Sequence, residues 1–423
     1  MAELLIIADD LTGAIETGVQ LSKQGINSRV VLDSDVEWGL ILIDKNTTVL
    51  VINIESRHLL PAEAADKVSQ VFNKIKGSGI KWFYKKTDST LRGNIGAELE
   101  TFMKSANQQT LPFVTAHPKL LRFTRKGFQY IGETLLHQTD FANDPLEPIK
   151  SSFVPDILKK QTAVRVCVSG TEGISDSSSL HTHPKKIIVF DCESEEDLKI
   201  IGKYVLQNNW QKAMAGTAAM VEILPQILQL KSSKVNYENP NSPMLLINGS
   251  LNNSSLQQVL YANKKGMVTL SFKQNLLKVS NIKSNSDYKQ IIKTIKEKFG
   301  AGQDVIINTI DLDIPDQKYN FSLDNSGKGH FKSVSKQIGL IVSNILEEIP
   351  FSTLGVFGGD TLNGIMNLLG CDSIEPESEI YTGVALSSVY TKFGKMHLIT
   401  KPGGYGKKDV ILKILSHIKK QSK

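Results

Sequence analysis

Residues 85–94, KKTDSTLRGN, bring together side chains that can bind a small anionic molecule. Lys86, Asp88, Ser89 and Arg92 lie close together in the sequence, and Arg92 can bind a carboxylate through two charge-assisted hydrogen bonds. Asp88 or Ser89 could instead cap the helix expected after this turn, because such residues favour that position. Capping uses only one side chain, however. The stretch therefore predicts a ligand-binding turn between a strand and a helix.

Two adjacent carboxylates, Asp9 and Asp10, follow the apolar run ELLIIA in the segment ADDLTGA. Carboxylates at such a place can bind substrate hydroxyl groups, hold Mg²⁺ or accept a proton from an attacking hydroxyl. In the alternative interpretation Asp10 is an N-cap and Asp9 is a loop residue. A polyhydroxy acid would suit this pair and the cluster at residues 85–94 together.

Asp10 and Asp88 are the candidate catalytic bases, because both are expected at strand ends ahead of helices. A helix N-terminus stabilises the carboxylate form, so we expect a lowered pKa for both groups. Asp10 is the preferred base. Asp88 lies beside Lys86 and Arg92 in the sequence and is expected to orient them.

Two glycine-rich turns in the second half, FGGDTLNG at 357–364 and KPGGYG at 401–406, each follow an apolar strand pattern and precede a helix. Glycine lets backbone N–H groups approach phosphate oxygens, and the N-terminus of a helix favours their charge. One such turn alone is a weak signal. Two of them, together with NGSLNNSS from Asn248, predict a cradle for the phosphates of a nucleotide.

Apolar runs and amphipathic segments alternate along the first half, which predicts an α/β fold with a doubly wound, mostly parallel sheet. Strands are predicted at ELLIIA, TVLVINI, IKWFYKK, LPFVTA, AVRVCVS, KIIVFD and KAMAGT, and helices at 12–24, 194–207, 254–265 and 332–349. Residues 231–243 lose hydrophobic periodicity and gather Ser, Asn and Pro, as linkers do. We therefore predict a first domain at 1–230, a linker at 231–243 and a second α/β domain at 244–423.

The composition limits the class of protein. The chain has 423 residues, and its 49 Lys and Arg exceed its 43 Asp and Glu only slightly. The basic residues are scattered rather than interleaved with aromatic ones, so no nucleic-acid partner is expected. No segment has the ~20 apolar residues that a membrane helix needs, so no membrane partner is expected either.

The three cysteines lack metal-ligand spacing, and the P-loop, protein-kinase, HExxH and dinucleotide motifs are absent. A cytoplasmic protein that binds small molecules is expected, with its oligomeric state open, a homodimer included.

Taken together, the motifs resemble those of the four-carbon acid sugar kinase family in order and spacing. IIADDLTGAIETGVQL is similar to the family's opening, KKTDSTLRGNIGAEL to its central signature, and GETLLHQTDFANDPLEPIKSSFVPDIL to the segment closing its substrate region. LLINGSLNNSSLQQ, VFGGDTLNGI, GCDSIEPESEIYTGVALSSV and ITKPGGYGKKDVIL resemble its nucleotide-binding half. The resemblance implies a kinase that uses ATP and Mg²⁺ and works in a cleft between a sugar-acid-binding domain and a nucleotide-binding domain.

The resemblance also implies roles for individual residues. Asp9, Asp10, Asp88, Ser89 and Arg92 would face the sugar acid, and Arg122 would be a further contact. From the charged turn itself we add Lys86 as a contact and keep Asp10 and Asp88 as the candidate catalytic carboxylates. Ser250, Gly358, Gly359, Asp360, Thr361 and Gly403 would face ATP, and we add Gly404 of the same glycine turn as a candidate ATP-binding residue. No protein ligand for a resident metal is implied. The chain has Leu121 where the family usually has a glycine before Arg122, so the turn at Leu121 is expected to differ.

The branches of the family differ at the central signature. TDSTLRGN, with Arg92, resembles members that act directly on threonate or erythronate, whereas the 3-oxo-tetronate branch resembles FDSTxxGNIG and lacks that arginine. We therefore expect transfer to the 4-hydroxyl of D-threonate or D-erythronate. The alternatives are a 3-oxo-tetronate 4-kinase and a non-catalytic, nucleotide-regulated sensor of sugar acids.

Overall fold

The computed structural model describes residues 2–32, 46–144, 147–171, 185–232, 237–272, 276, 281–309 and 328–421, and at 328–333 and 421 it describes the backbone alone. Contacts within the chain divide it into two compact units, Met1–Val235 and Asn236–Lys423. Four positions of the predicted linker, 233–236, lie outside the described residues.

The first unit is built on a parallel sheet. The strands are β1 Leu4–Ala8, β2 Ser28–Val31, β3 Val49–Asn53, β4 Trp82–Lys86, β5 Thr110–Val114, β9 Arg165–Ser169, β10 Lys186–Phe190 and β11 Ala213–Gly216. They pair in the order β2-β3-β1-β4-β11-β5-β10-β9, and every described pairing among them is parallel. A separate antiparallel sheet contains β6 Arg122–Arg125, β7 Phe128–Ile131 and β8 Thr134–Leu135. All seven strands predicted from the sequence form, whereas β2 and the small sheet were not predicted.

Helices cover this parallel sheet. They are α1 Leu11–Ser22, α2 Pro61–Lys74, α3 Ile95–Ser105, α4 Val154–Lys159, α5 Glu195–Gln207, α6 Ala218–Val221 and α7 Leu224–Leu228, with 3₁₀ turns at Pro118–Leu120, Leu136–Gln138 and Asp140–Asn143. The side chain of Ser194 accepts a hydrogen bond from the N–H of Asp197, and the Asp197 carboxylate accepts one from the N–H of Ser194. This capping box explains why α5 begins where the sequence predicted.

Helix α3 is fixed by the apolar residues that follow the charged turn. Leu99, Phe102 and Met103 are fully buried, and the ring of Phe102 packs edge-on against Phe72 of α2 at 5.6 Å. Burying each such side chain contributes roughly 1.5–3 kcal/mol. Behind the turn, the ammonium of Lys85 lies 2.7 Å from the Glu98 carboxylate, in a pair almost closed to solvent. The helix and this ion pair hold residues 87–94 at the carboxyl end of β4.

The second unit has a mixed sheet. Its strands are β12 Leu245–Asn248, β13 Val268–Ser271, β14 Val305–Asn308, β15 Thr353–Phe357, β16 Ser373–Tyr381, β17 Val384–Thr391 and β18 Gly394–Lys401. They lie in the order β13-β14-β12-β15-β18-β17-β16. The first five strands of this order pair in parallel, and the pairings of β18 with β17 and of β17 with β16 are antiparallel. The helices are α8 Asn253–Lys264, α9 Ser286–Gly300, α10 Lys328–Glu348, α11 Gly359–Leu368 and α12 Val410–Gln421, with a 3₁₀ turn at Ile282–Ser284.

Both sheets reverse their strand order at a definite place. In the first unit, the chain leaves β1 for β2 and β3 on one side and continues with β4 on the other. In the second unit, it leaves β12 for β13 and β14 on one side and continues with β15 on the other. Ligands of open α/β sheets bind at the carboxyl ends of strands at such points. The predicted α/β fold with two domains and a mostly parallel sheet is therefore confirmed, and both reversals coincide with sequence motifs.

No described helix combines the length and the apolar character that crossing a membrane demands.

Candidate functional site

An arginine that the sequence analysis did not single out lies at the centre of the first site. Arg57 follows β3, and its guanidinium binds both carboxylates that follow β1. Its Nε and NH2 nitrogens each lie 2.8 Å from Asp9 Oδ2. NH2 also lies 2.8 Å from Asp10 Oδ1, and NH1 donates to Asp10 Oδ2 at 3.0 Å. The same guanidinium lies 4.0 Å from Asp88, so Arg57 joins all three carboxylates of the site.

Asp10 also starts helix α1. Its Oδ1 accepts a hydrogen bond from the N–H of Gly13 at 3.1 Å, as the capping interpretation of the sequence expected. Its side chain is 22% exposed, against 6% for Asp9 and 9% for Asp88. Each carboxylate oxygen can accept two hydrogen bonds, so these contacts leave room for a substrate hydroxyl. Capping and ligand binding are therefore compatible at Asp10.

Asp88 is bound by donors from its own turn. Its Oδ2 accepts from Thr90 Oγ1 at 2.5 Å and from Arg92 Nε at 2.6 Å, and its Oδ1 accepts from Arg92 NH2 at 3.3 Å. The NH1 of Arg92 reaches Asp144 at 3.2 Å. None of these bonds caps α3, whose N-cap is Asn94. Asp88 therefore orients Arg92, whereas the ammonium of Lys86, which Asp88 was also expected to orient, contacts Thr87 and Glu16 instead. Three of the five N–H groups of Arg92 have protein acceptors.

Arg122 joins the site from the small antiparallel sheet. Its NH1 donates to Ser89 Oγ, and its guanidinium lies 5.9 Å from the centre of the Phe141 ring. Arg92 lies 5.5 Å from the same ring centre, so Phe141 supports both guanidinium groups. Leu121 takes the left-handed conformation that glycine favours, with φ 55°. A glycine-type turn thus forms before Arg122 although leucine occupies the position.

Lys86 turns towards α1. Its ammonium donates to the carbonyl oxygen of Thr87 at 3.1 Å and lies 3.9 Å from Glu16. Glu16 also lies 3.5 Å from the buried ring of His117. Burial alone would raise the pKa of Glu16, but its contacts with His117 and Lys86 outweigh burial and lower it to about 2. Glu16 is therefore an additional anion beside the predicted residues.

The three central carboxylates have different acidities. Burial raises the pKa of Asp10 despite the opposing charge of Arg57. Burial acts in the same way on Asp9, but Arg57 and the two lysines of β4 outweigh it and lower its pKa. Burial is again outweighed at Asp88, whose pKa Arg92 and Arg57 hold well below its usual range. The expected lowering is thus wrong for Asp10, because burial and the charges of Asp9 and Asp88 outweigh the opposing charges of Arg57 and Lys86.

The residues that the sequence analysis missed are Arg57, Glu16, Asp144 and Phe141. A signal for Arg57 was present, because it follows the predicted strand TVLVINI and the ends of neighbouring parallel strands meet at one edge. Its partners lie 47 and 48 positions earlier in the chain, so only the pairing of β1 with β3 brings them together.

The glycine motifs of the second unit pack against one another. Gly358 has φ 112°, a conformation that other residues rarely adopt, and it precedes helix α11. A Cβ atom at Gly403 would lie 2.1 Å from Ser250 Oγ, and one at Gly249 would lie 1.9 Å from Thr361 Oγ1. Glycine is therefore required for these loops to meet. The structure brings Ser250, the turn at 358–361 and the turn at 401–406 together at the carboxyl ends of β12, β15 and β18.

Exposed groups on these loops face solvent at this edge. Asp360, in the first turn of α11, and Gly404 are exposed, whereas Thr361 and Ser250 are buried. Among the described residues, no group of three or more His, Cys, Asp or Glu side chains is arranged to hold a metal ion. A Mg²⁺ ion bound mainly by phosphates needs only one or two protein carboxylates, however. Asp360 could supply one, because it is exposed in the first turn of α11, directly after Gly358 and Gly359.

Two family models, described for different ligands, match the two units. Residues 4–224 match a family model described as a sugar-binding N-terminal domain, and residues 245–411 match one described as a nucleotide-binding C-terminal domain. The chain is 26% identical to a D-threonate kinase of Salmonella typhimurium, over 98% of both chains. It is 31% identical to a D-erythronate kinase of Heliobacterium modesticaldum over 48% of this chain and 47% of that protein. A 3-oxo-tetronate kinase of Burkholderia multivorans is 25% identical over 47% of this chain and 48% of its own length.

A solved structure shares the fold. It is a Salmonella typhimurium LT2 protein described as a tRNA synthase, and it superposes with a TM-score of 0.78 over 98% of this chain and 99% of its own. At 18% identity, this likeness concerns the fold alone. The two domain matches span most of the chain and carry the sugar-binding and nucleotide-binding halves that the motifs predicted. The chain therefore belongs to the four-carbon acid sugar kinase family.

Proposed function

We propose that this kinase transfers the γ-phosphate of ATP to the terminal 4-hydroxyl of a four-carbon sugar acid, with D-threonate or D-erythronate as the favoured acceptor. The observation that carries the proposal is the position of Asp10. It is the most exposed of three carboxylates gathered by Arg57 at the strand-order reversal of the sugar-binding unit. Its raised pKa makes it a stronger base than an ordinary aspartate.

The acceptor fits the charges of the first unit. The carboxylate of a sugar acid would bind beside Arg92, two of whose five N–H groups have no acceptor among the described residues. Arg122 lies over the same Phe141 ring as Arg92 and would add its positive charge. Hydroxyl groups of the acid would donate to Asp9 and Asp10. In this pose Asp10 accepts the proton of the attacking hydroxyl. The names of the relatives, D-threonate kinase and D-erythronate kinase, support this class of acceptor.

The donor fits the glycine turns of the second unit. The phosphates of ATP would lie at the turn 358–361 and the turn 401–406, where backbone N–H groups and the N-terminus of α11 favour negative charge. The carboxylate of Asp360 would repel the phosphates unless a cation lay between them, so we assign to it contact with Mg²⁺ carried by ATP. ATP as the donor supports a cytoplasmic location.

The two alternatives are a 3-oxo-tetronate kinase and a sensor of sugar acids. A 3-oxo-tetronate kinase is also among the relatives, but the motif FDSTxxGNIG associated with that branch lacks the arginine that this chain has at position 92. A sensor without turnover would need no base beside the acceptor hydroxyl, and the raised pKa of Asp10 argues for a base.

Incubation with ATP, Mg²⁺ and a panel of D- and L-tetronates and 3-oxo-tetronates, with ADP release as the readout, separates the proposed kinase from both alternatives. The proposal would be contradicted if none of these acids raised ADP release above the rate measured without an acid.

Replacing Arg92 tests the binding of the acid. We expect Arg92→Ala to weaken the binding of the tetronate by about 2–4 kcal/mol, because the substrate carboxylate loses a charged donor. The Kd of the acid, measured by calorimetry, checks this. Arg125→Ala is the control, since Arg125 is a partly exposed arginine of the same small sheet, bound to Glu133 and Glu193. Equal affinities in Arg92→Ala and the wild type would move the carboxylate site elsewhere.

Replacing Asp360 tests the donor site. We expect Asp360→Ala to raise the KM for ATP about tenfold, equivalent to about 1.4 kcal/mol, and to leave the KM for the acid unchanged. Without Mg²⁺, the variant should bind ATP at least as tightly as the wild type, because a repelling carboxylate has been removed. Asp372→Ala, an exposed carboxylate beyond the other end of α11, is the control. Equal effects on both substrates would contradict the assignment of ATP to this unit.

A further inference from the structure

A buried lysine lies beneath the glycine turn at 401–406. Lys401 ends β18 and is 1% exposed. Its ammonium donates to Ser255 Oγ and to the carbonyl oxygen of Pro402, both at 3.0 Å, and to the carbonyl oxygen of Tyr405 at 3.2 Å. The carbonyl oxygen of Gly403 lies slightly farther away, at 3.4 Å, and accepts a shorter bond of 2.7 Å from Ser255. The three protons of the ammonium thus have three close acceptors.

These contacts fix which way the peptide groups of the turn point. In a trans peptide the carbonyl and the following N–H point in opposite directions. Because the carbonyls of Pro402 and Gly403 point towards the ammonium, the N–H groups of Gly403 and Gly404 point away from it. Neither N–H donates to an acceptor within the described part of the chain. Two unused N–H groups that point the same way favour an anion.

The ammonium itself has only neutral neighbours among the described residues. Besides the turn and Ser255 of α8, it lies 5.0 Å from the ring centre of Phe357 in β15. Burial lowers the pKa of Lys401 to about 7, with no carboxylate to oppose it. A buried lysine without a counter-ion costs stability, which a purely structural role would not explain.

We propose that Lys401 is a positioning residue, which holds the turn at 401–406 so that the N–H groups of Gly403 and Gly404 face a phosphate of the bound nucleotide. This inference rests on the proposed function of the second unit. The lysine does not touch the phosphate. Instead, its positive charge beneath the turn adds to the attraction of the two N–H groups above it.

Lys401→Met tests this role, because methionine keeps the apolar chain against Phe357 and removes the donors. We expect the Kd of ATP to rise about tenfold, because the turn that orients the two N–H groups loses its anchor and the positive charge beneath it is removed. The Kd of adenosine, which has no phosphate, should stay the same. The KM for ATP should rise and the KM for the sugar acid should not. Lys395→Met, at the other end of β18 in an exposed pair with Glu238, should change none of these values.

The pH dependence adds a readout that a merely structural role would not move. The ratio of the Kd of ATP in Lys401→Met to that in the wild type should be largest near pH 6, where Lys401 is charged, and should fall as the pH rises above about 7. Taking the ratio cancels the titration of ATP itself. A ratio near one at pH 6, or one that does not change with pH, would overturn the proposal.

The two proposals fail in different ways. If the wild type binds ATP no more tightly than adenosine, the second unit makes no use of phosphates and the proposed function fails. If the wild type prefers ATP and Lys401→Met retains that preference in full, the donor site stands and only the role of Lys401 is wrong.

Discussion

Asp10→Asn is expected to lower kcat by a factor of about 10²–10⁴, the usual effect of losing a general base. The amide keeps the shape of the side chain and caps helices as well as aspartate does, so α1 should still start at the same residue. It cannot accept the proton of the attacking hydroxyl. ATP should still stabilise the variant against heat as it does the wild type, because the donor site lies in the second unit.

Asp88→Asn is the matched comparison for this prediction. Asp88 already accepts bonds from Thr90 and Arg92, and its lowered pKa makes it a weak base. We expect its replacement to affect mainly the KM for the acid, through a displaced Arg92. Near-normal turnover in Asp10→Asn, with turnover lost in Asp88→Asn, would exchange the two roles.

The pH profile of the wild type also reports on Asp10. Since burial raises the pKa of Asp10, turnover should begin to fall at a higher pH, as the pH is lowered, than it would with an ordinary aspartate as the base.

Arg57→Met is expected to lower the free energy of unfolding by about 3–5 kcal/mol at neutral pH, the usual cost of removing one partner from a buried charge cluster. Asp9, Asp10 and Asp88 would remain together without the cation that joins them. Arg125→Met provides the scale for a partly exposed arginine, whose two ion pairs with Glu133 and Glu193 each contribute at most about 1 kcal/mol. Denaturant unfolding of the three proteins measures both effects.

The pH dependence of this loss follows from the acidities of the carboxylates. The lowered pKa values of Asp9 and Asp88 stabilise the native state above the unfolded value near 3.8, and this stabilisation is lost as the pH falls through the lower native value. In Arg57→Met that stabilisation is reduced, so its deficit relative to the wild type should shrink as the pH falls and the carboxylates become protonated. A deficit below 1 kcal/mol at pH 7 would mean that Arg57 does not hold the cluster together.

The sequence predicted those parts of the site that follow from local patterns. Asp10 could be placed because a strand pattern ends before it and a helix pattern begins after it. Ser250 and Gly358 could be placed for the same reason, at the ends of strands that prove to be neighbours. Such predictions need only the alternation of apolar residues and the preferences of strand-to-helix turns.

The remaining parts depend on contacts between distant segments. Arg57 required the pairing of β1 with β3, and Phe141 required the placement of a 3₁₀ turn beside two arginines. The direction of the pKa shift at Asp10 depends on burial, which no local pattern reports. Lys401 appeared in the sequence as part of a glycine turn, and only the structure turns its ammonium beneath that turn.

The most direct test of the central claim is the identity of the product. The wild-type protein is incubated with ATP, Mg²⁺ and D-threonate or D-erythronate, and the mixture is followed by ³¹P NMR. We expect one new phosphomonoester signal, coupled to the two protons on C4, that grows in step with ADP. Phosphate on another hydroxyl, or release of inorganic phosphate instead of a sugar-acid phosphate with every tetronate tested, would contradict it.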